Sequence, residues 1–184
     1  MIPEPCVATI GFFDGVHMGH RYLIQQVKEI AAAKGLRSAL VTFPVHPRKV
    51  MNAAYHPELL TTPEEKTNLL AGTGVDYCLM LDFTPDISRL TAKEFMTQIL
   101  KERFQVKYLV IGYDHRFGHN RSEGFDDYVR YGQAIGIEVI RAQAYTDDIQ
   151  IDTIQSAPVS SSLIRKLLHQ GDVDAAARCL GYEY

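Results

Sequence analysis

Residues 7 to 20 read VATIGFFDGVHMGH. An apolar run of strand length passes through a glycine-punctuated turn into two histidines three residues apart, and an amphipathic segment follows at once. In that segment Leu23, Ile24, Val27, Ile30 and Ala31 recur at helical spacing, and Gly35 supplies a stop. The stretch therefore predicts a buried strand, a tight loop and a helix whose first turn holds His17 and His20. In an open parallel sheet, the turn from the first strand into the first helix is a usual place for phosphate. Gly11, Gly15 and Gly19 let the backbone approach a ligand closely, and the helix N-terminus offers unpaired N–H groups and a positive dipole end. His17 and His20, one turn apart on one side, can both address one phosphate group. The plainer alternative is that one histidine caps the helix and the other is merely exposed.

The same alternation runs down the chain. CVATIGFF, SALVTF, YCLMLDF, YLVIGY and IEVIRA are apolar runs of strand length, mostly separated by segments of helical spacing. Near-continuous apolar strands imply a parallel sheet buried on both faces, so the fold class is α/β, a doubly wound, Rossmann-like, mostly parallel sheet. PEEKTNLLAG opens with proline and acids, and TAKEFMTQILKERF has Thr91 as N-cap ahead of Glu94 in a capping box. Both read as ordinary layer helices. GHNRSEGFDDY is a polar loop leading into a helix through about Gly136, and SSSLIRKLLHQG and DVDAAARCLG read as two short terminal helices. No internal repeat or interdomain linker is visible, so residues 1 to 184 are expected to be one domain.

With 184 residues, 46% of them hydrophobic, the chain can bury a substantial core. A formal net charge of -3 gives no global field that would draw in a nucleic acid or an anionic membrane. Cys6, Cys78 and Cys179 are widely spaced and odd in number, which fits reduced core thiols better than disulfides or a zinc site. MIPEPCVATIGFF lacks the pattern of a signal peptide, and no run approaches the roughly 20 apolar residues of a membrane span. A soluble, cytoplasmic protein is the expectation.

Other phosphate signatures do not fit: GxxxxGK[ST] is absent, and GxGxxG is absent from the first turn. H-E-x-x-H is absent too, and His17 and His20 lack a convincing third zinc ligand nearby, so no protein metal site is expected. A second anion cradle is legible at residues 159 to 168, VSSSLIRKLL, where a serine triplet opens an amphipathic helix and Arg165 lies within reach of the same anion. Two cradles suit a triphosphate better than a monophosphate. TFPVHPRKV follows the second strand, which puts Phe43, His46, Pro47 and Arg48 at the ligand end of the sheet. In GYDHRFG, Asp114 and Arg116 follow a strand; the bland alternatives are a rigid proline turn and a local ion pair. Asp14 reads as a turn residue fixing the glycine loop, and His56, His119 and His169 as solvated groups.

GFFDGVHMGH resembles the HxGH motif of the nucleotidylyltransferase superfamily, and with its FDGVH lead-in it resembles the adenylyltransferase module of the prokaryotic FAD synthetase family, the bifunctional riboflavin kinase/FMN adenylyltransferases. VSSSLIRKLL is similar to that family's ISSTxIR element, TFPVHPRKV to its TF-x-PHP segment, TTPEEKTNLL to its T-x-x-EK helix and GYDHRFG to its G-x-DFRFG turn. The resemblance covers nearly the whole chain in order. Pro44 stands one place earlier than the family's proline, His115 replaces a phenylalanine, and Tyr182 stands where the family often shows arginine.

The resemblance implies transfer of AMP from ATP to FMN, giving FAD and pyrophosphate, with Mg²⁺ accompanying ATP. It implies that His17 and His20 are catalytic and face the α-phosphate. Gly11, Phe12, Phe13, Gly19, Ser160, Ser161, Ser162 and Arg165 would bind ATP, and Phe43, His46, Pro47, Arg48, Asp114 and Arg116 would bind flavin. The family continues into a riboflavin kinase module, covalently attached in full-length members; this sequence stops at YEY, so the kinase is expected to be absent and riboflavin not to be phosphorylated. Two rivals stay open: a nucleotidylyltransferase for another phosphate acceptor, and a flavin- or nucleotide-binding module without chemistry.

Overall fold

The computed structural model describes residues 4–112, 114–146 and 158–184. Five strands form one all-parallel sheet in the order β3-β2-β1-β4-β5: β1 Cys6–Ile10, β2 Arg37–Thr42, β3 Tyr77–Met80, β4 Val106–Ile111 and β5 Glu138–Arg141. The doubly wound reading is borne out. After β1 the chain winds outward to β2 and β3, then returns to lay β4 on the other side of β1. The topological switch point, where such sheets hold ligands, therefore lies beyond the carboxyl ends of β1 and β4.

Helices cover both faces. On one face α1 (Met18–Lys34) and α3 (Pro63–Ala71) bring Ile24, Val27, Ala31 and Leu70 onto Val7, Leu40 and Val110. On the other, Ala8, Ile10 and Leu109 meet Phe95, Met96, Leu100 and Tyr128. Helix α1 ends as its sequence indicates: Gly35 adopts φ 65°, and its N–H satisfies the Ala31 and Ala32 carbonyls. Thr62 with Glu65, and Thr91 with Glu94, each form a reciprocal capping box. Short helices α2 (Pro47–Met51) and α4 (Pro85–Ser88) add to the expected set. The segment opened by Thr91 departs from expectation: only α5 (Ala92–Glu94) is α-helical, and Phe95–Arg103 is wound as a π-helix. Its wider winding, with Phe104 N–H bonded to the Ile99 carbonyl, brings Phe95, Ile99, Leu100 and Phe104 onto the same core.

Burial on both faces holds for the central strands and fails at the edge. On β3, Tyr77 and Leu79 pack inward while Cys78 and Met80 are exposed. Only Cys6 and Cys179 are core thiols, so the expectation for Cys78 is corrected: an edge strand is covered on one face alone. Burial pushes the Cys6 thiol up to about 12. Helix α6 (Phe125–Ile135) leads to β5 through Gly136, and α7 (Ser161–His169) and α8 (Val173–Leu180) form a hairpin whose Ile164, Leu167, Ala176 and Leu180 close over Leu60.

At Gly132 in α6, a Cβ would lie 2.2 Å from the Ile137 carbonyl oxygen and 3.1 Å from Val139. Glycine to alanine within a helix ordinarily gains roughly 0.5–1 kcal/mol. Here backbone crowding reverses the sign: Gly132→Ala is expected to destabilise the protein by about 1–3 kcal/mol, seen as a Tm several degrees lower in thermal melts.

Candidate active site

The loop from Gly11 to His17 leaves β1 after its last bond to β2, Gly11 N–H to the Val41 carbonyl at 3.0 Å. From Phe12 to His17 every carbonyl accepts a hydrogen bond from the protein. Phe12 receives Thr42 Oγ1 at 3.2 Å and Lys66 Nζ at 3.1 Å, and Phe13 receives the Val16 N–H. Asp14 receives Ser161 Oγ at 2.9 Å, Gly15 the Tyr182 hydroxyl at 2.6 Å, Val16 the Arg21 Nε–H at 3.1 Å, and His17 the Arg21 N–H. The N–H groups of Gly11, Gly15 and Val16 are taken up as well, by the Val41 carbonyl, Thr61 Oγ1 and the Phe13 carbonyl, so the polarity that suits an anion lies at the first turn of α1. Phe13 (φ 57°) and Val16 (φ 42°) are forced to positive φ, a strain of about 1–3 kcal/mol each that these tethers offset. Gly15 has φ 82°, and a Cβ there would stand 2.8 Å from Leu60. At Gly19 a Cβ would press on the His17 ring at 3.1 Å, which accounts for the glycine between the histidines.

His17 does cap α1: its Nδ1 accepts the His20 N–H at 3.2 Å. Capping and chemistry are thus compatible, since an accepting Nδ1 leaves the proton of a neutral ring on Nε2 as a donor. The two rings stack 3.6 Å apart at 16°, and His20 also meets Phe13 edge-on at 5.2 Å. Burial drives His17 down to about 4 despite Asp14, and drives His20 well below the usual histidine value, with His17 adding to the effect. Both are neutral near pH 7. His20 Nδ1 is buried without a partner, a cost that functional sites tolerate.

Asp14, 5% exposed, joins this loop to the start of α7. Its carboxylate accepts the Leu60 N–H at 2.9 Å, the Thr61 N–H at 3.2 Å and Arg165 Nη2 at 2.8 Å. It acts as the turn residue its sequence position suggested and as much more than that. Ser160 caps α7 through the Leu163 N–H, Ser161 bonds the Asp14 carbonyl and Ser162 is exposed. Arg165 donates through Nε to the Glu58 carbonyl at 2.6 Å. The two helix N-termini thus converge on one loop.

Beside them opens a cleft of roughly 490 Å³ lined by Gly11, Phe12, Phe43, His46, Pro47, Arg48 and Arg116, a size suited to a small ligand. His46 caps α2 through the Arg48 N–H and meets Phe12 edge-on at 4.8 Å. Arg116 Nη1 donates to the His115 carbonyl. Asp114 is exposed and stands outside the lining; Tyr113, in the same motif, lies outside the described residues. His56, His119 and His169 are exposed as expected. Sequence reasoning missed Phe83, Phe95 and Phe117, which complete the aromatic wall, because isolated phenylalanines in apolar runs look like core. It also missed Lys66, whose signal was a lysine on the same helical face as Leu69 and Leu70.

Comparison with known proteins agrees with this geometry. The family model described as FAD synthetase matches residues 1–158. The chain belongs to the FAD synthetase family. Among curated members, the bifunctional riboflavin kinase/FMN adenylyltransferase of Listeria monocytogenes is 34% identical over 97% of this chain and 54% of its own length. That of Escherichia coli is 32% identical over 98% and 56%. The chain therefore spans about half the length of the curated relatives it matches. A crystal structure described as a macrolide-efflux protein from Streptococcus pneumoniae, 29% identical, shares the fold with a TM-score of 0.84 over 99% of this chain and 57% of that one. Among the described residues of the present chain, no helix is long and apolar enough to cross a membrane.

The depressed histidines link stability to pH. Unfolded histidine titrates near 6.5, whereas folded His17 titrates near 4, so between these values the unfolded state binds more protons and stability falls as pH drops. The His17 contribution approaches about 3 kcal/mol. His17→Asn keeps a capping acceptor without the titration; urea unfolding at pH 7 and pH 4.5 is expected to show a smaller loss of stability in this variant than in the unmodified protein.

Proposed function

We propose that residues 1 to 184 form one FMN adenylyltransferase unit that transfers AMP from ATP to the phosphate of FMN and releases pyrophosphate. The observation that carries this reading is the convergence of the α1 and α7 N-termini on Asp14, with stacked neutral histidines on one side and an aromatic-lined cleft alongside. Two anion cradles suit a triphosphate, and the cleft suits the flat ring system of the acceptor.

An FMN phosphate oxygen attacks the α-phosphorus in line. The new P–O bond forms as the bond to the bridging oxygen breaks, and that electron pair departs with pyrophosphate. Such a reaction needs positioning and charge stabilisation rather than a protein nucleophile. His17, through Nε2–H, and His20 donate to α-phosphate oxygens. As neutral donors buried from water they act in a medium where a hydrogen bond to developing charge is strong. Gly11, Phe12, Phe13 and Gly19 let loop backbone approach the nucleotide. Ser160, Ser161, Ser162 and the first N–H groups of α7 hold the β,γ-phosphates. Arg165 spends Nε–H and one Nη2–H on Glu58 and Asp14 and keeps further guanidinium donors for phosphate. Phe43, His46, Pro47, Arg48 and Arg116 bind FMN from the cleft lining, and Asp114, outside that lining, completes the proposed set.

Mg²⁺ bound to ATP would offset phosphate charge. Asp14 is committed to Arg165 and to backbone N–H groups, so the donors here fit an ion carried by phosphate oxygens and water. The substrates imply a cytoplasmic setting, and FMN rather than riboflavin is the acceptor of this unit.

Incubation with ATP, Mg²⁺ and FMN is expected to yield FAD and pyrophosphate, read by chromatography and a pyrophosphate assay, and riboflavin is expected to yield neither. His20→Ala is expected to lower turnover by about 10²- to 10³-fold, the usual scale for one lost transition-state donor. Binding of both ligands without product would instead assign a binding module.

A further inference from the structure

Lys66 is 3% exposed and lies on the inward face of α3. A buried ammonium gives up solvation worth several kcal/mol, which an apolar residue would not. Its location shows what it is used for. The ladder between β1 and β2 ends at the Gly11–Val41 bond, and beyond it the two chains fork, one into the nucleotide loop and one into the loop that carries His46 and Arg48. Lys66 Nζ sits in that fork, donating to the Phe12 carbonyl at 3.1 Å on one arm and to the Phe43 carbonyl at 2.8 Å on the other. It also lies 3.9 Å from the centre of the Phe12 ring, whose edge contact with His46 continues across the cleft. Thr42 Oγ1 adds a bond to the same Phe12 carbonyl. Burial lowers the Lys66 pKa while Asp14 and Cys78 raise it, and two carbonyls and a ring face favour the charged form.

We infer that Lys66 is a positioning residue: by bridging the Phe12 and Phe43 carbonyls it sets the spacing between the nucleotide loop and the flavin loop, and hence the distance from the attacking phosphate oxygen to the α-phosphorus. This rests on the adenylyltransferase reading. Each substrate keeps its own contacts when the bridge is lost, but their mutual alignment does not survive, and misplacement of about 1 Å costs on the order of 10²-fold in rate.

The test compares the unmodified protein with Lys66→Met, which keeps the length and removes the donors. FAD formation is measured at saturating ATP and FMN, and binding of FMN and of a non-hydrolysable ATP analogue is measured separately by calorimetry. A kcat lower by about 10²-fold, with both affinities within about threefold and full stoichiometry, supports the bridge. An unchanged kcat, or binding stoichiometry that falls in step with kcat, overturns it. If Lys66→Met does not fold, Lys66→Gln, with a shorter side chain and an amide donor, is read by the same criteria. Failure of the unmodified protein to make FAD overturns the adenylyltransferase reading and this inference together, whereas normal FAD formation by both proteins overturns this inference alone.

Discussion

A buried carboxylate that must be compensated organises this site. Asp14 sits at the apex of the β1–α1 loop, where its oxygens collect two backbone N–H groups from the approach to α3 and the guanidinium of Arg165 from α7. Removing one partner of a buried charge pair costs about 3–5 kcal/mol because the other is left uncompensated. The three segments are thereby held to one point, although Asp14 and Arg165 are 151 residues apart. The bond from Ser161 to the Asp14 carbonyl and the closure of α7 and α8 over Leu60 reinforce the same junction. The N-termini of α1 and α7 are thereby held beside one loop.

The electrostatics around that junction follow from burial. His17 and His20 are stripped of solvent and stacked on each other, so protonating either would place charge in a poor dielectric beside another imidazole. A neutral ring keeps one N–H donor, and at His17 the cap on Nδ1 places it on Nε2. The loop reaches this geometry through non-glycine residues at positive φ, with each carbonyl from Phe12 to His17 tethered. The strain of Phe13 and Val16 is sustained by these tethers and by the packing around them.

Much of this was legible in the residues. The five parallel strands, the helix opening at His17, the Gly35 stop and both threonine capping boxes depend on spacing and local hydrogen bonding, which sequence records directly. The π-helical winding of Phe95–Arg103 and the exposure of Cys78 were not legible: the first is decided by which side chains the core accepts, the second by which strand falls at the edge. The helix start at Ser160 was legible, but the attachment of Ser161 and Arg165 to Asp14 across the fold was not.

Sequence alone determined the alternation of strands and helices, the helix starts at His17 and Ser160 and the family resemblance, because these reside in runs of neighbouring residues. Tertiary structure alone decided that His17 is buried and stacked on His20 with both rings neutral, that the phenylalanines of distant segments form one wall, and that Lys66 fills the fork between two loops. Each of these depends on which groups lose water together, and desolvation is a property of the packed molecule rather than of any stretch of its chain.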